Sequence, residues 1–341
     1  LVLLNCQVPR ERNHDFRAQM AANRVGVTRY LDLVARYGAD RLDQASAALL
    51  DYAERMVRHA IAAMPDGRYE FAAPFDTSLW PETLHLRVAI EIAGEDMHFD
   101  FTGNPAQTRS GLNMVFTALQ ATVYYVVKCL AGTETPANAG FHRPIRITAT
   151  PGTIVNATAP AAVYSRHDVA QRLADMCFAA LTPALPDKTL AGSTGVTVLT
   201  MSGMHPRLDR YYVYNESIGG GMGARASRDG VDGVHVHVTN SANIPVEALE
   251  SEHPVMVEAY ELVQDSGGAG RHRGGMAIRR RLRAEGHDAT INLGGPLNRE
   301  PAWGIDGGLP GGLARVELDE GVAPLQARDG IVPAGHAATA I

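Results

Sequence analysis

The sequence predicts an α+β fold: a mixed helical and β first half, then a mostly β, glycine-rich second half. Three observations carry this. Apolar residues recur at helical spacing up to Met64. Apolar and polar residues alternate between Leu84 and Phe101, and again in short runs after Leu190. Glycine also becomes dense after Leu190, where helical periodicity fades. No regular strand–helix alternation supports a doubly wound sheet, and no repeat occurs at a fixed period. The 341 residues suit two or three domains or one large intertwined architecture. Three regions are expected: a helical hairpin region over 1–67, a mixed α/β region over 68–190 and a mostly β region over 191–341.

The elements follow in order. "DFRAQMAANRVGVTRYLDLVARYG" spaces Phe16, Met20, Val27, Tyr30, Leu31 and Val34 near a 3.6-residue period, and Gly38 can cap its end. "DRLDQASAALLDYAERMVRHAIAAM" repeats the pattern through Leu42, Leu49, Ala53, Val57 and Ile61. Two antiparallel helices are expected, followed by a turn at "PDG". "LHLRVAIEI" and "MHFDFTG" alternate around "AGED", which reads as a hairpin. "LNMVFTALQATVYYVVKCLAG" reads as a buried helix ending at Gly132. "FHRPIRITATPGTIVN" reads as extended, and "RHDVAQRLADMCFAALTPALP" as a further helix. Beyond Leu190, strands are expected at "VTVLTM", "RYYVYNESI", "GVHVHVTN", "VMVEAYELV", "MAIRRRLR" and "ATINLGG", with a turn or two of helix at "PVEALESEHP".

Composition narrows the function. Apolar residues make up 45% and charged residues 20%, with a net charge of -6. That is ordinary for a globular chain with a core, and it argues against general nucleic-acid binding, which needs a basic footprint. Cys6, Cys129 and Cys177 are odd in number and far apart, so they read as reduced, buried thiols of a cytoplasmic protein. No run approaches the roughly 18 apolar residues of a membrane span. The start has no signal-peptide pattern and no initiator methionine, and both ends read as cut.

Most motifs of standard chemistry are absent: no GxxxxGK[ST] phosphate loop, no HExxH, no CxxC and no GxSxG. "GGGMGA" loosely fits a dinucleotide fingerprint but leads into "RASRDG", a loop, so the helix N-terminus that would hold a pyrophosphate is missing. What remains is that glycine bend and the histidine pair of "GVHVHVTN". On a strand, residues two apart share a face at about 6.5 Å. His235, His237 and Thr239 would then point one way, and Val234, Val236 and Val238 into a core. The imidazoles could bind a metal or an anion, carry a proton, line a cavity with Asn240 and Asn243, or simply form the polar face of a half-buried strand. A complete metal site lacks a third ligand unless Glu216, Asp229 or Asp232 folds back. "DSGGAGRHRGG" is either an anion-binding nest or a solvated turn. "RRRLR" reads as a charged edge strand, and Trp303 as a packing residue beside a loop.

Ordered along the chain, "DFRAQMAANRVG", "FDFTGNPAQTRSGLNMV", "NAGFHRPIRITATPGTIVN", "YNESIGGGMGAR", "DGVDGVHVHVTNSANIPVEALE", "DSGGAGRHRGG" and "PAWGIDGGLPGG" resemble the hydantoinase B/oxoprolinase family over nearly the whole length. The resemblance implies a B-type subunit of an ATP-dependent hydantoinase or 5-oxoprolinase. Relatives of that family include subunits of acetone and acetophenone carboxylases. It implies a partner, the hydantoinase A-type subunit, which binds ATP and activates a cyclic amide carbonyl by phosphorylation. It also implies an enclosed chamber between subunits that admits water only where useful.

Carried over onto this sequence, the resemblance gives His235, His237 and Asn240 as catalytic candidates. It gives Gly219, Gly220, Gly221, Gly223 and Glu247 as substrate-binding candidates. One imidazole would relay a proton to the opening ring nitrogen, and Asn240 would hold the substrate or orient a histidine. A divalent metal is expected of full-length members, whose leading segment carries histidine and aspartate. No ligands for it can be placed in this chain. The alternatives are a subunit of an ATP-dependent ketone carboxylase and a non-catalytic assembly subunit.

Overall fold

The computed structural model describes residues 1–6, 8–295, 299–323 and 329–341. Its helices gather early and its sheets late, as the periodicities predict. α1 spans Pro9–Tyr37 and α2 spans Ala39–Ala62, joined through Gly38, whose N–H caps the Val34 carbonyl at 2.8 Å. Gly38 has φ +83°, a conformation glycine adopts at little cost. The expected pair of packed helices does not close on itself. No residue of α1 is buried, and Met20, Val27, Tyr30 and Leu31 stay exposed. Periodicity predicts the helix but not what covers its apolar face. α2 buries only its last turns, through Ala53, Val57 and Ile61.

β1 (Gly67–Thr77), β2 (Trp80–Ala93), β3 (Asp96–Asp100) and, further along, β4 (Ile145–Thr148) form one sheet in that order. The hairpin pairs Ile92 with Met97 and Ile90 with Phe99, so the alternating apolar positions share one face. β4 joins parallel to β3. It is the only strand within the longer stretch expected to be extended, which opens instead with the single turn of α4 (Ala139–His142). α3 (Phe116–Ala131), which precedes α4, ends at Gly132. α5 (Arg166–Leu181) is buried along nearly its whole length and packs on β1, β2 and α3. Of the three cysteines only Cys177 on α5 is buried. Cys6 is partly accessible and Cys129 is exposed, against the expectation of three buried thiols; Cys129 sits on the outward face of α3.

The second half is two four-stranded sheets sharing one core. β5 (Thr197–Met204), β6 (Tyr211–Ile218), α6 (Val246–Glu252), β7 (Val255–Leu262), β8 (Ile278–Ala284), β9 (Ala289–Gly294), β10 (Val316–Leu318), β11 (Asp329–Val332) and β12 (Ala337–Ala340) follow in sequence. The sheet orders are β11-β9-β5-β6 and β10-β12-β8-β7. Leu199 and Met201 from the first, with Leu282 and Ala338 from the second, lie in the shared core, the alternation of a sheet buried on one face.

Two strand expectations are corrected. β8 is not a charged edge: it pairs with both β12 and β7. Arg280 is fully buried against Glu216, at 3.1 Å. The run 233–240 is not a strand. Only Val234 makes a bridge, to Gly220, and His237 adopts φ +54° in a turn. Gln171 fixes this bend, donating to the Val236 carbonyl at 2.8 Å and accepting from the Val238 N–H at 3.1 Å. Alternation of valine with polar residues suits a strand, but these backbone groups are bonded to a side chain instead of a neighbouring strand.

The two halves interlock. The Arg299 N–H reaches Asp76 at 2.8 Å, the Ser78 N–H reaches the Gly295 carbonyl at 3.0 Å, and Trp303 packs on Phe71 with ring centroids 5.0 Å apart.

Candidate functional site

Where the two cores meet, glycine-rich stretches converge: residues 191–195 after α5, 219–224 after β6, 265–275 between β7 and β8, and 303–312 after β9. They wall a cavity of about 560 Å³, the size of a small-ligand site. Gly219, Gly220, Gly221 and Gly223 all line it. None has positive φ. Glycine is needed here because other backbone presses close: a Cβ on Gly221 would sit 1.9 Å from the Gly275 carbonyl oxygen, and one on Gly223 would sit 1.9 Å from that of Ala191. Here "DSGGAGRHRGG" is wall, not a remote turn, as is the Trp303 loop.

Under this wall lies a polar stripe that the sequence pattern did not single out. Asp168, Gln171, Arg172 and Asp175 recur at i, i+3, i+4 and i+7 on α5, one face of a helix, and all four are buried. The signal was present in "RHDVAQRLADMCFAAL", but such spacing reads as an ordinary solvent face. Asp175 accepts the Ser193 N–H, with both oxygens at 3.2 Å, and hydrogen-bonds His237 Nε2 at 2.7 Å. His237 Nδ1 meets the Tyr125 hydroxyl at 3.1 Å, and Phe178 stacks on the imidazole with centroids 5.7 Å apart. With Nε2–H donated to the carboxylate, Nδ1 accepts the phenol proton, so a neutral imidazole satisfies the whole chain. Burial raises the Tyr125 phenol well above its ordinary range, which keeps it a donor.

Arg172 sits on the cavity side of the stripe, its guanidinium carbon 4.9 Å from the centre of the Trp303 ring. Burial pushes this guanidinium down, while Asp175, Asp76 and Glu300 pull it back up through space.

The histidine pair does not form one face of the cavity. His237 turns inward to Asp175, and its side chain is 1% exposed. His235 lies beside Ser217 and Glu216, where burial pushes its imidazole below the ordinary value. Neither lines the cavity; His237 reaches its rim only through Asp175 and Ser193. Asn240 and Glu247 are exposed and lie outside the lining. The expected shared face depended on a strand that does not form. Asn243, which followed the pair in sequence, instead donates to Glu216 at 2.6 Å. Among the described residues, no three His, Cys, Asp or Glu side chains are grouped to hold a metal ion, so these residues do not supply a ligand set for one. No helix among them is long and apolar enough to cross a membrane.

Comparison with known proteins adds to this geometry. The family model described as hydantoinase B/oxoprolinase matches residues 1–339. A putative D-/L-hydantoinase B-type subunit from Pseudomonas sp. (strain NS671) is 31% identical over 92% of this chain and 55% of its own length. 5-Oxoprolinase 1 of Arabidopsis thaliana is 27% identical over 79% of this chain and 21% of its own. The crystal structure of the ATP-dependent caprolactamase from Pseudomonas jessenii shares the fold, with a TM-score of 0.82 at 24% identity over 98% of this chain and 60% of that one. The chain thus spans about half the length of the hydantoinase relative it matches.

Proposed function

Because the chain belongs to the hydantoinase B/oxoprolinase family, we propose that it acts as the B-type subunit of an ATP-dependent cyclic-amide hydrolase. Its partner in this reading is the hydantoinase A-type subunit, which binds ATP and activates the ring carbonyl. The observation that carries the proposal is the glycine-walled cavity of about 560 Å³ above a buried polar stripe. Such a wall exposes backbone rather than side chains, so a small polar ring can approach main-chain donors and acceptors closely.

Gly219, Gly220, Gly221 and Gly223 shape the surface against the ring. His237 is a positioning residue: it holds Asp175, which holds the Ser193 amide at the rim. His235, Asn240 and Glu247 take no part in this reading. In this reading the cavity walls limit the directions from which water reaches the activated carbonyl. Phosphorylation of an amide oxygen by the partner would supply a leaving group that a bare amide lacks.

The test is reconstitution with the co-expressed ATP-binding partner, following ATP consumption and product with hydantoin, 5-oxoproline and caprolactam, and with acetone plus bicarbonate. Amide-dependent ATP consumption with a ring-opened product supports the proposal. ATP consumption that needs bicarbonate and yields a carboxylated ketone overturns it in favour of a carboxylase, and no turnover of any ring or ketone overturns it in favour of an assembly role without catalysis.

A further inference from the structure

We infer that Arg172 and Trp303 form a receiving corner for an anionic group, a carboxylate or a phosphate, carried by the ligand in the glycine-walled cavity. The inference rests on reading that cavity as the site of the cyclic amide. Arg172 is 8% exposed and yet lines the cavity. It makes no hydrogen bond or ion pair among the described residues. A guanidinium carries five donors in a planar fork, and those of Arg172 are left open to the cavity. The Trp303 ring lies 4.9 Å from the guanidinium carbon, within cation–π distance, and a planar fork can grip two oxygens at once.

The three carboxylates that act on Arg172 through space, Asp175, Asp76 and Glu300, make no hydrogen bond to this fork. Asp175 is taken up by His237 and Ser193. Asp76 accepts the Arg299 amide. Glu300 lies on the cavity wall and reaches Arg172 only through space. The same cavity lining holds further donors. The backbone N–H groups of residues 267–272 donate no hydrogen bond within the described residues, and Arg271 and His272 belong to the same run. Consecutive free amides of this kind favour anions. Asp265, Glu300 and Asp306 also stand on the wall, so the cavity is not uniformly positive, and recognition is local to the Arg172 corner.

The probes are L-5-oxoproline, 2-pyrrolidinone (the same ring without the carboxylate) and inorganic phosphate, each titrated calorimetrically into the co-expressed complex. One set of charge-assisted hydrogen bonds corresponds to about tenfold or more in affinity. If the anion is a ring carboxylate, L-5-oxoproline binds about tenfold or more tighter than 2-pyrrolidinone, and Arg172→Met erases the difference. If the anion is a phosphate, the two rings bind alike and phosphate binds to the wild type but not to R172M. Should R172M fail to fold by circular dichroism, Arg172→Lys, which keeps the charge but loses the fork, weakens the same ligand partially. Anion binding unaltered by either Arg172 variant, or no binding of either anion, overturns the inference. Rings bound alike without any dependence on Arg172 overturn it while leaving the cyclic-amide reading intact. Phosphate bound through Arg172 with no ring bound supports it while removing that reading.

Discussion

The Asp175 carboxylate joins two parts of the molecule far apart in sequence: it hydrogen-bonds His237 Nε2 at 2.7 Å and takes the Ser193 N–H at 3.2 Å. A turn from the β half is thereby tied to a rim segment that follows α5. His237→Phe keeps a ring against Phe178 but removes both hydrogen bonds, leaving a buried carboxylate short of a partner. The expected loss is roughly 2–4 kcal/mol of unfolding free energy, read from guanidinium melts. An unchanged midpoint would mean that the tie contributes nothing to stability.

Two glycines make a contrasting pair. Gly221→Ala drives a Cβ into the Gly275 carbonyl and is expected to destabilise by at least about 2–3 kcal/mol, because the atoms in the way are all Gly275 backbone and cannot swing aside. Gly26, inside α1, meets nothing within 4 Å. Gly26→Ala should stabilise by about 0.5–1 kcal/mol through helix propensity alone. Thermal melts of the two variants check both signs at once.

Glu216 and Arg280 form a buried pair at 3.1 Å, with Arg280 also over the Tyr260 ring at 4.6 Å. Removing one charge strands the other, so Glu216→Gln is expected to cost about 3–5 kcal/mol. The double replacement Glu216→Leu with Arg280→Met should recover most of that loss. A double variant as unstable as the single one would show that the pair is not what governs stability here.

Burial holds the His235 and His253 imidazoles below their ordinary value. Below about pH 6.5 the unfolded chain binds protons there that the folded chain refuses. Stability is therefore full above that pH and is lost as the pH falls through it. Melting temperatures from about pH 7.5 to 5.5 should decline, and less steeply in His235→Gln. A flat or rising profile would contradict the burial of these rings.

Much of the fold was legible because burial on one face leaves a period. The β2–β3 hairpin shows it through Ile90, Ile92, Met97 and Phe99, and α3 ends where Gly132 predicts. β1 was not legible, since Ala72, Ala73 and Pro74 interrupt its alternation. The turn at 233–240 is not legible because valine alternation looks like a strand, while the hydrogen bonds that decide its shape come from Gln171, far away in sequence. The glycine wall was legible as composition. The stripe on α5 is not legible because Asp168, Gln171, Arg172 and Asp175 look like any polar face until tertiary packing buries them. His237 stands out in the sequence, but the direction of its side chain follows from a backbone conformation that valine alternation misrepresents.

The most direct test of the account is a structure of the co-expressed complex holding a bound cyclic-amide ligand. The ring is expected inside the cavity, against Gly219, Gly220 and Gly221, with Arg172 facing it and His237 behind Asp175, not touching the ligand. A ring bound elsewhere, with this cavity empty, or a ligand in direct contact with both His235 and His237, would contradict it.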